Sequence, residues 1–392
     1  MPTIINDRPL SGTDRSAWLS PQTDSGAINV SPVFERVNYR NSGALQKTIT
    51  TVTDDSIDPD NQGQDTIVDG FSITGEFSTN ASKQSIKFLK WALQGATTST
   101  YTQTSTDIEV NAAGELEITG TFTTIPKAGD VLFVKGFTNA DNNKMVQVLS
   151  ATATNIVLTE PLTTEAAGAS VTITSNKMVN GDTPTLFAMQ DRIRDLSRAD
   201  NTAFKTFYDG QIGSLTFTVP ESGPLTSDFN VVAEKEVEGY AKIAGQTDAP
   251  KEVGILSGKK NVKRVLINGE GQTCRVVNFS VEVNRNLEEI VLAACPSVYA
   301  QGRLSVTGTL NLVTYISNSL KWRENYENQD YNSVAIHIEH PDGSNTAIVI
   351  PQFKFTEASI ASGSGTLNSE LSYSATGNTN VGGTIAVYTD WS

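Results

Sequence analysis

The chain's only histidines, His337 and His340, flank Glu339 in the run "VAIHIEHPDG" at 334–343. An imidazole near a carboxylate can serve as a base, but acyl transfer also needs a hydroxyl or thiol nucleophile beside it. The run reads as a β-strand, on which positions 337 and 340 point to opposite faces and make a poor metal clamp. Histidines at the surface or at an interface are therefore expected. A second candidate is "DDSIDPDNQGQD", where Asp54, Asp55, Asp58, Asp60 and Asp65 surround Gly63. A calcium loop ends in a bidentate Glu and lies between helices. The sequence supplies neither, so an acidic loop is expected.

The other chemistry-bearing patterns are weaker. "GKKNVKR" at 258–264 has no interleaved aromatics and reads as a solvated face or a partner for an acidic loop. Carboxylates are plentiful, but no window sets a pair among the clustered aromatics of a sugar cleft. No phosphate-binding loop, dinucleotide fingerprint or Gly-x-Ser-x-Gly elbow occurs. Cys274 and Cys295 are read as free thiols of a reducing compartment. The expectation is no enzyme, no cofactor and no metal. What remains is contact chemistry. Arg192, Arg194 and Arg198 alternate with Asp191, Asp195 and Asp200, and with Asp54, Asp55, Asp58 and Asp60 they are the candidate assembly contacts.

The elements that must position these groups are strands. The 392 residues are rich in Thr, Ser, Gly, Val and Asn, only 18% charged, and carry a formal charge of −14. That composition favours short strands and turns in two or three domains. An acidic surface argues against gripping nucleic acid, because phosphate binding needs Lys and Arg to displace counterions. The first residues lack the basic-then-apolar layout of a secretory signal, and no window approaches 18 consecutive apolar residues. The expectation is a soluble protein matured in the cytoplasm.

Residues 1–30, with four prolines by position 32, read as an extended arm. "FSITGEFST" alternates as a half-buried strand, and "SKQSIKFLKWALQG" follows as an amphipathic helix with Ser82 as cap and Gly95 as stop. "TTSTYTQT" at 97–104 reads as a polar hinge. Residues 105–178 then give strands at hairpin spacing, a small barrel-like module. From Gly254 a second strand-rich block runs to the end, with "NLEEIVLAA" and "YISNSLKWRENYE" as its helical stretches.

The chain also repeats itself. "SITG" at 72–75 matches "SVTG" at 305–308 at an offset of 233, and "LKW" recurs at 89–91 and 320–322. "GPLTSDFNVVA" at 223–233 matches "GTLNSELSYSA" at 365–375 at an offset of 142. The offsets differ by about 90, so the first copy must carry that many extra residues between Trp91 and Gly223, the interval that holds the module. Gly75 and Gly308, like Trp91 and Trp322, are thus read as equivalent positions of two copies of one unit. Two copies in one chain can stand in for two subunits of a ring.

Two long runs, "VVNFSVEVNRNLEEIVLAACPSVYAQGRLSVTGTLNLV" and "VAIHIEHPDGSNTAIVIPQFKFTEASIASGSGTLNSELSYSA", resemble the tail tube proteins of bacteriophages with long, non-contractile tails. "IPKAGDVLFVKGFTNADNNKMVQVLSATATNIVLTE" is similar to a module frequent in such tail proteins. The resemblance implies an all-β chain: two tandem tube-type β-sandwiches, each with a short flanking helix, plus the inserted module. The corresponding domains are an arm (1–30), a split first tube domain (31–104 plus 179–245), the module (105–178) and a second tube domain (246–392). It further implies a virion protein, assembled in the bacterial cytoplasm, that forms stacked rings of three chains. A tape-measure protein would lie inside, and distal tail and terminator proteins at the ends. DNA would pass the lumen without specific binding, and the module would project outward. The rival expectation is a surface decoration or host-binding adhesin, which would string independent modules in a row.

Overall fold

The computed structural model describes residues 14–38, 40, 45–53, 66–197, 201–237, 241–250, 252, 254–272, 274–290, 292, 297–315, 320–360 and 367–391. Strands dominate, as the composition predicts, and they build an all-β architecture. One antiparallel sheet of eight strands is its largest feature. From edge to edge these are Gln46–Thr53, Thr66–Asn80, Thr226–Ala233, the C-terminal part of Thr202–Val219, Val276–Asn284, Ser305–Val313, Asn368–Ala375 and the C-terminal part of Asn345–Ile360.

Alternation sets the two faces of this sheet. Ile73, Phe77, Phe229, Val231, Leu215 and Phe217 in the first four strands point inward and are buried. Phe279, Val281, Val283, Val306, Leu310, Leu371, Tyr373, Phe353 and Phe355 do the same in the last four, and all of them join one core cluster. Period-two patterning on a half-buried sheet requires this arrangement.

A second layer closes that core. Thr202–Val219 and Asn345–Ile360 are long enough to leave the eight-stranded sheet and continue into it. In the first half it consists of Arg15–Pro21, Phe187–Arg194, residues 202–210 and Lys235–Glu236. In the second it consists of Val262–Ile267, Asn332–Glu339, residues 345–350 and Ala386–Thr389. Helices Lys83–Leu93 and Lys321–Glu327 pack on the two long strands, one in each half.

The registers of the two halves agree residue by residue. Gly75 lies opposite Val231 and Gly308 opposite Tyr373, so the offsets of 233 and 142 read from the sequence land on the same pair. Phe77 with Phe229 and Leu310 with Leu371 repeat the agreement. Each long strand also breaks register at the same place, between Ile212 and Ser214 in one half and between Phe355 and Glu357 in the other. A bulge marks a fixed bend of a strand, so its recurrence at a corresponding site is informative.

Residues 101–173 enclose a separate core of Tyr101, Ile108, Val110, Leu116, Ile118, Leu132, Val134, Val148, Ile156 and Ile173, among others. This module docks on the second layer of the second half. Val131, Phe133 and Met145 meet Leu266, Ala335, Ala347, Val349, Ala386 and Tyr388. Those strands are therefore covered on both faces, which is why "VAIHI" and "AIVI" are nearly continuous apolar runs.

Several expectations need correction. The "hinge" at 97–104 is a strand, Thr97–Ser105, paired along its length with Val171–Val179, and "NLEEIVLAA", read as helical, holds the short strand Glu288–Ile290, paired with Val298–Ala300. The arm is partly structural: Arg15–Pro21 pairs with Phe187–Arg194, while residues 1–13 lie outside the described residues. The first helix stops at Gln94, which takes the left-handed turn at φ 50, and not at Gly95. Gly95 is needed for close approach instead, since a Cβ there would lie 1.7 Å from the Val179 carbonyl oxygen. The two Leu-Lys-Trp motifs also sit differently: Trp91 is in the last turn of its helix, Trp322 in the first turn of its own. Trp91 stacks on Phe187, whereas Trp322 meets Phe355 edge-on.

Candidate assembly surface

The outward face of the eight-stranded sheet is the largest surface of uniform chemistry. Its positions are filled by Ser, Thr, Asn and Gln almost throughout, from Gln46, Thr48 and Thr74 at one edge to Ser372, Ser374 and Ser359 at the other. The charged exceptions among the described residues are the acids Glu76, Asp228, Glu282, Glu357 and Glu370 and a single base, Lys354. One row across the strands runs Ser78, Asp228, Thr216, Glu282, Thr307, Ser374, Lys354. Among the described residues no strand position on this face is aromatic, and the exposed Tyr331 ring stands beside it, its centroid 4.6 Å from Lys354 Nζ.

The sheet is continuous across the middle because two strands from different halves pair there. Ser214–Val219 runs antiparallel to Phe279–Asn284, with Leu215 opposite Val283 and Phe217 opposite Val281. The Arg285 amide donates to the Gly213 carbonyl at 2.8 Å and ends the joint. Its guanidinium then crosses to the first helix. Nε donates to the Ala92 carbonyl at 2.8 Å, Nη1 to Gly181 at 2.8 Å, and Nη2 to Leu93. A cation against the last carbonyls of a helix meets the negative end of its dipole. Arg285 is buried, and this desolvation pushes its pKa down to about 10, which still leaves it charged at neutral pH.

At both ends the sheet is open. Gln46–Thr53 pairs only with Thr66–Asn80, and residues 357–360 pair only with Asn368–Ala375, among the described residues. Unpaired edges offer rows of free N–H and C=O groups to another strand. Ile49 and Ile360 are exposed at these edges, and Val52, Ile67 and Val68 extend the apolar surface beyond the first.

The residues singled out in the sequence divide. Arg192 is buried within the chain, its guanidinium 3.9 Å above the Trp18 ring and forked onto Asp248 at 2.7 Å through both Nη atoms. Within the chain it is a clasp between the first strand's sheet and residue 248. Arg192 in turn holds the Asp248 carboxyl below its ordinary pKa. Arg194 is exposed, 3.8 Å from Asp14, and stays available to a partner. Asp54, Asp55, Asp58, Asp60 and Arg198 lie outside the described residues.

Gly308 is a point of close approach. A Cβ there would lie 2.1 Å from the Ser280 carbonyl oxygen and 2.4 Å from Tyr373 Oη, which donates to that same carbonyl at 2.7 Å. The tyrosine ring covers the strand at the glycine. Opposite Gly75 the first half uses Val231.

Neither histidine is exposed, contrary to one of the two readings. His337 Nε2 meets Asn345 Oδ1 at 2.8 Å and its ring packs on Phe133 of the module. His340 Nε2 meets Thr346 Oγ1 at 2.9 Å, beside Trp391. Burial lowers both pKa values, that of His340 to about 4. The hydroxyl beside His340 belongs to Thr346 and is buried with the ring, closed off from any substrate, and no metal-binding cluster occurs among the described residues. Arg264, from the basic run, donates to the Met145 carbonyl at 2.7 Å and pairs with Glu160, fastening the module. Cys274 is a free, exposed thiol.

Sequence reasoning missed Arg285, Asp130 and Lys177. Lys177 Nζ and Tyr388 Oη both donate to Asp130 Oδ1, at 2.6 and 3.0 Å, in a buried cluster between module and second half. Single charged residues in alternating strands carry no local signal of burial. No helix among the described residues is long and apolar enough to cross a membrane.

No curated protein matches the sequence. A protein family does, the one described as phage tail tube protein, across residues 12–375. That span takes in both halves, the joint between them and the inserted module, and the chain therefore belongs to the phage tail tube protein family, a family of structural, non-enzymatic components of the virion tail.

Proposed function

We propose that three copies of this chain close into a ring, that rings stack into the tube of a long non-contractile tail, and that the polar face of the eight-stranded sheet lines the channel for DNA. The observation carrying this reading is that face: a continuous sheet, open at both edges, with only Lys354 as a base against five acids. Passing DNA would find almost no cation to displace its counterions and no aromatic ring at the strand positions on which to stack, so it would slide and not stick. Three times eight strands, joined edge to edge, would make a closed barrel, and closure removes the exposed edges.

In this reading the two halves are copies of one ancestral unit. Their common strand order, registers and bulge support it. The module lies outside the tube, since it docks on the layer remote from the polar face. Assembly takes place in the bacterial cytoplasm, around a tape-measure protein and between distal and terminator proteins. Negative-stain microscopy of the purified chain tests the proposal: hollow three-fold rings or tubes are expected. Monomers that persist at high concentration, without any ring, would overturn it.

A further inference from the structure

The joint inside the chain can serve as a template for the joint between chains. We propose that residues 357–360 of one chain pair with residues 45–48 of the next in one defined register, Glu357 with Thr48, Ala358 with Lys47, Ser359 with Gln46 and Ile360 with Leu45. The inference rests on the ring reading above and adds its contacts.

The register follows from the correspondence of the halves. In the first half Leu215 lies opposite Phe229, and in the second Ala358 lies opposite Leu371, the residue matched to Phe229. Ala358 thus takes the place of Leu215, with Glu357, Ser359 and Ile360 in the places of Ser214, Thr216 and Phe217. On the other side, Lys47 lies opposite Ile73 and Val283 opposite Val306, the residue matched to Ile73. Lys47 therefore takes the place of Val283, and Gln46 and Thr48 take those of Glu282 and Asn284. The pairs observed inside the chain, Ser214 with Asn284, Leu215 with Val283, Thr216 with Glu282 and Phe217 with Val281, then give the register between chains.

The faces agree with it. Glu357, Ser359, Gln46 and Thr48 fall on the polar face, and Ile360 and Leu45 on the core side. The chemistry differs from the internal joint in two ways. Leu215 and Val283 are replaced by Ala358 and Lys47, and the place of Arg285 is taken by Ile49. No buried arginine clasps the second joint to a neighbouring helix. The joint between chains is accordingly the one that opens when a ring comes apart.

Cysteine pairs read out the register. Since the Arg285 amide bonds the Gly213 carbonyl, Ser214–Asn284 and Thr216–Glu282 are non-hydrogen-bonded pairs, the closer kind and the one suited to a disulfide. Ser359 with Gln46 inherits that geometry, whereas Ser359 with Thr48 is a diagonal about 7–8 Å apart. Oxidation of assembled Gln46→Cys/Ser359→Cys protein should give reducible inter-chain ladders on a denaturing gel. Thr48→Cys/Ser359→Cys protein and the single-cysteine variants should not. In wild-type protein, assembly should slow hydrogen exchange at the amides of Lys47, Ile49, Ala358 and Ile360. Rings that form with cross-links only in the slipped pair, or with none and no protection at these amides, refute the register and leave the ring reading intact. A wild-type chain that makes no rings refutes both.

Discussion

Arg285 allows the sharpest test of how the two halves hold together. Replacement by Met keeps most of the stem's volume and removes three charge-assisted donors from the carbonyls of Ala92, Leu93 and Gly181. Hydrogen bonds of this kind contribute roughly 1.5–3 kcal/mol each, and a favourable partly buried helix-end cation up to about 2 kcal/mol. These do not add, because the guanidinium's own desolvation opposes them and water can reach some of the freed carbonyls. A buried acceptor left unpaired costs about 1–3 kcal/mol, and with three carbonyls freed we expect Arg285→Met to cost roughly 3–5 kcal/mol. The assay is urea unfolding followed by tryptophan fluorescence, with Trp91 in the helix turn that Arg285 caps. Arg285→Lys, a single point donor, should recover less than half of the loss. Arg194→Met, at an exposed and long ion pair, should cost under about 0.5 kcal/mol. If Arg285→Met costs no more than Arg194→Met, the guanidinium does not hold the helix end to the second half.

Gly308→Val should destabilise by about 3 kcal/mol or more, since the added side chain collides with backbone at Ser280 and displaces the Tyr373 hydroxyl. Soluble yield and melting temperature check it, and an unchanged melting temperature would contradict the crowding. Asp130→Asn and Lys177→Met should each cost about 3–5 kcal/mol, while the double variant Asp130→Asn/Lys177→Met should cost less than the sum of the two, as a double-mutant cycle would read. For His340, whose folded pKa of about 4 lies below the unfolded value near 6.5, the unfolded chain binds the proton more tightly. Its contribution is complete above pH 6.5 and is lost as pH falls through that window towards 4, by up to about 3 kcal/mol. Stability measured from pH 7 to 4 should therefore fall less steeply in His340→Gln, and parallel curves would refute the assignment.

Much of this architecture is legible in the sequence because it rests on local rules. Alternation gives the strands of the eight-stranded sheet, and the echo of "SITG" in "SVTG" gives the correspondence that the registers repeat. What escapes is set by contacts between distant segments. "TTSTYTQT" has a hinge's composition, yet one buried ring, Tyr101, and a partner some seventy residues on make it a strand. Arg192 looks like its exposed neighbours until Trp18 and Asp248 close around it. The buried state of His337 is set by Phe133, a residue of the inserted module. Nothing near these residues in sequence announces such partners.

The insertion explains why the internal joint needs an arginine and the proposed joint between chains would not. Residues 96–180 leave and re-enter the first half at one point, where the Gly181 amide donates to the Leu93 carbonyl at 2.9 Å. Gly95 and Gly181 are packed so closely that a Cβ on either would strike the other strand's backbone. At this neck the helix has ended and its last carbonyls have no further turn to satisfy them. The second half carries no such load, because only a short connection joins Lys321–Glu327 to Asn332–Glu339. Arg285 reaches the helix carbonyls and the Gly181 carbonyl together, so one side chain closes the neck and fastens the first half to the second. At the corresponding place on the open edge there is no neck to close, and Ile49 stands there with an apolar side chain exposed until another surface covers it. In the proposed ring the same strand position would thus carry a permanent clasp where the halves are covalently one chain, and a plain hydrophobic contact where separate chains meet.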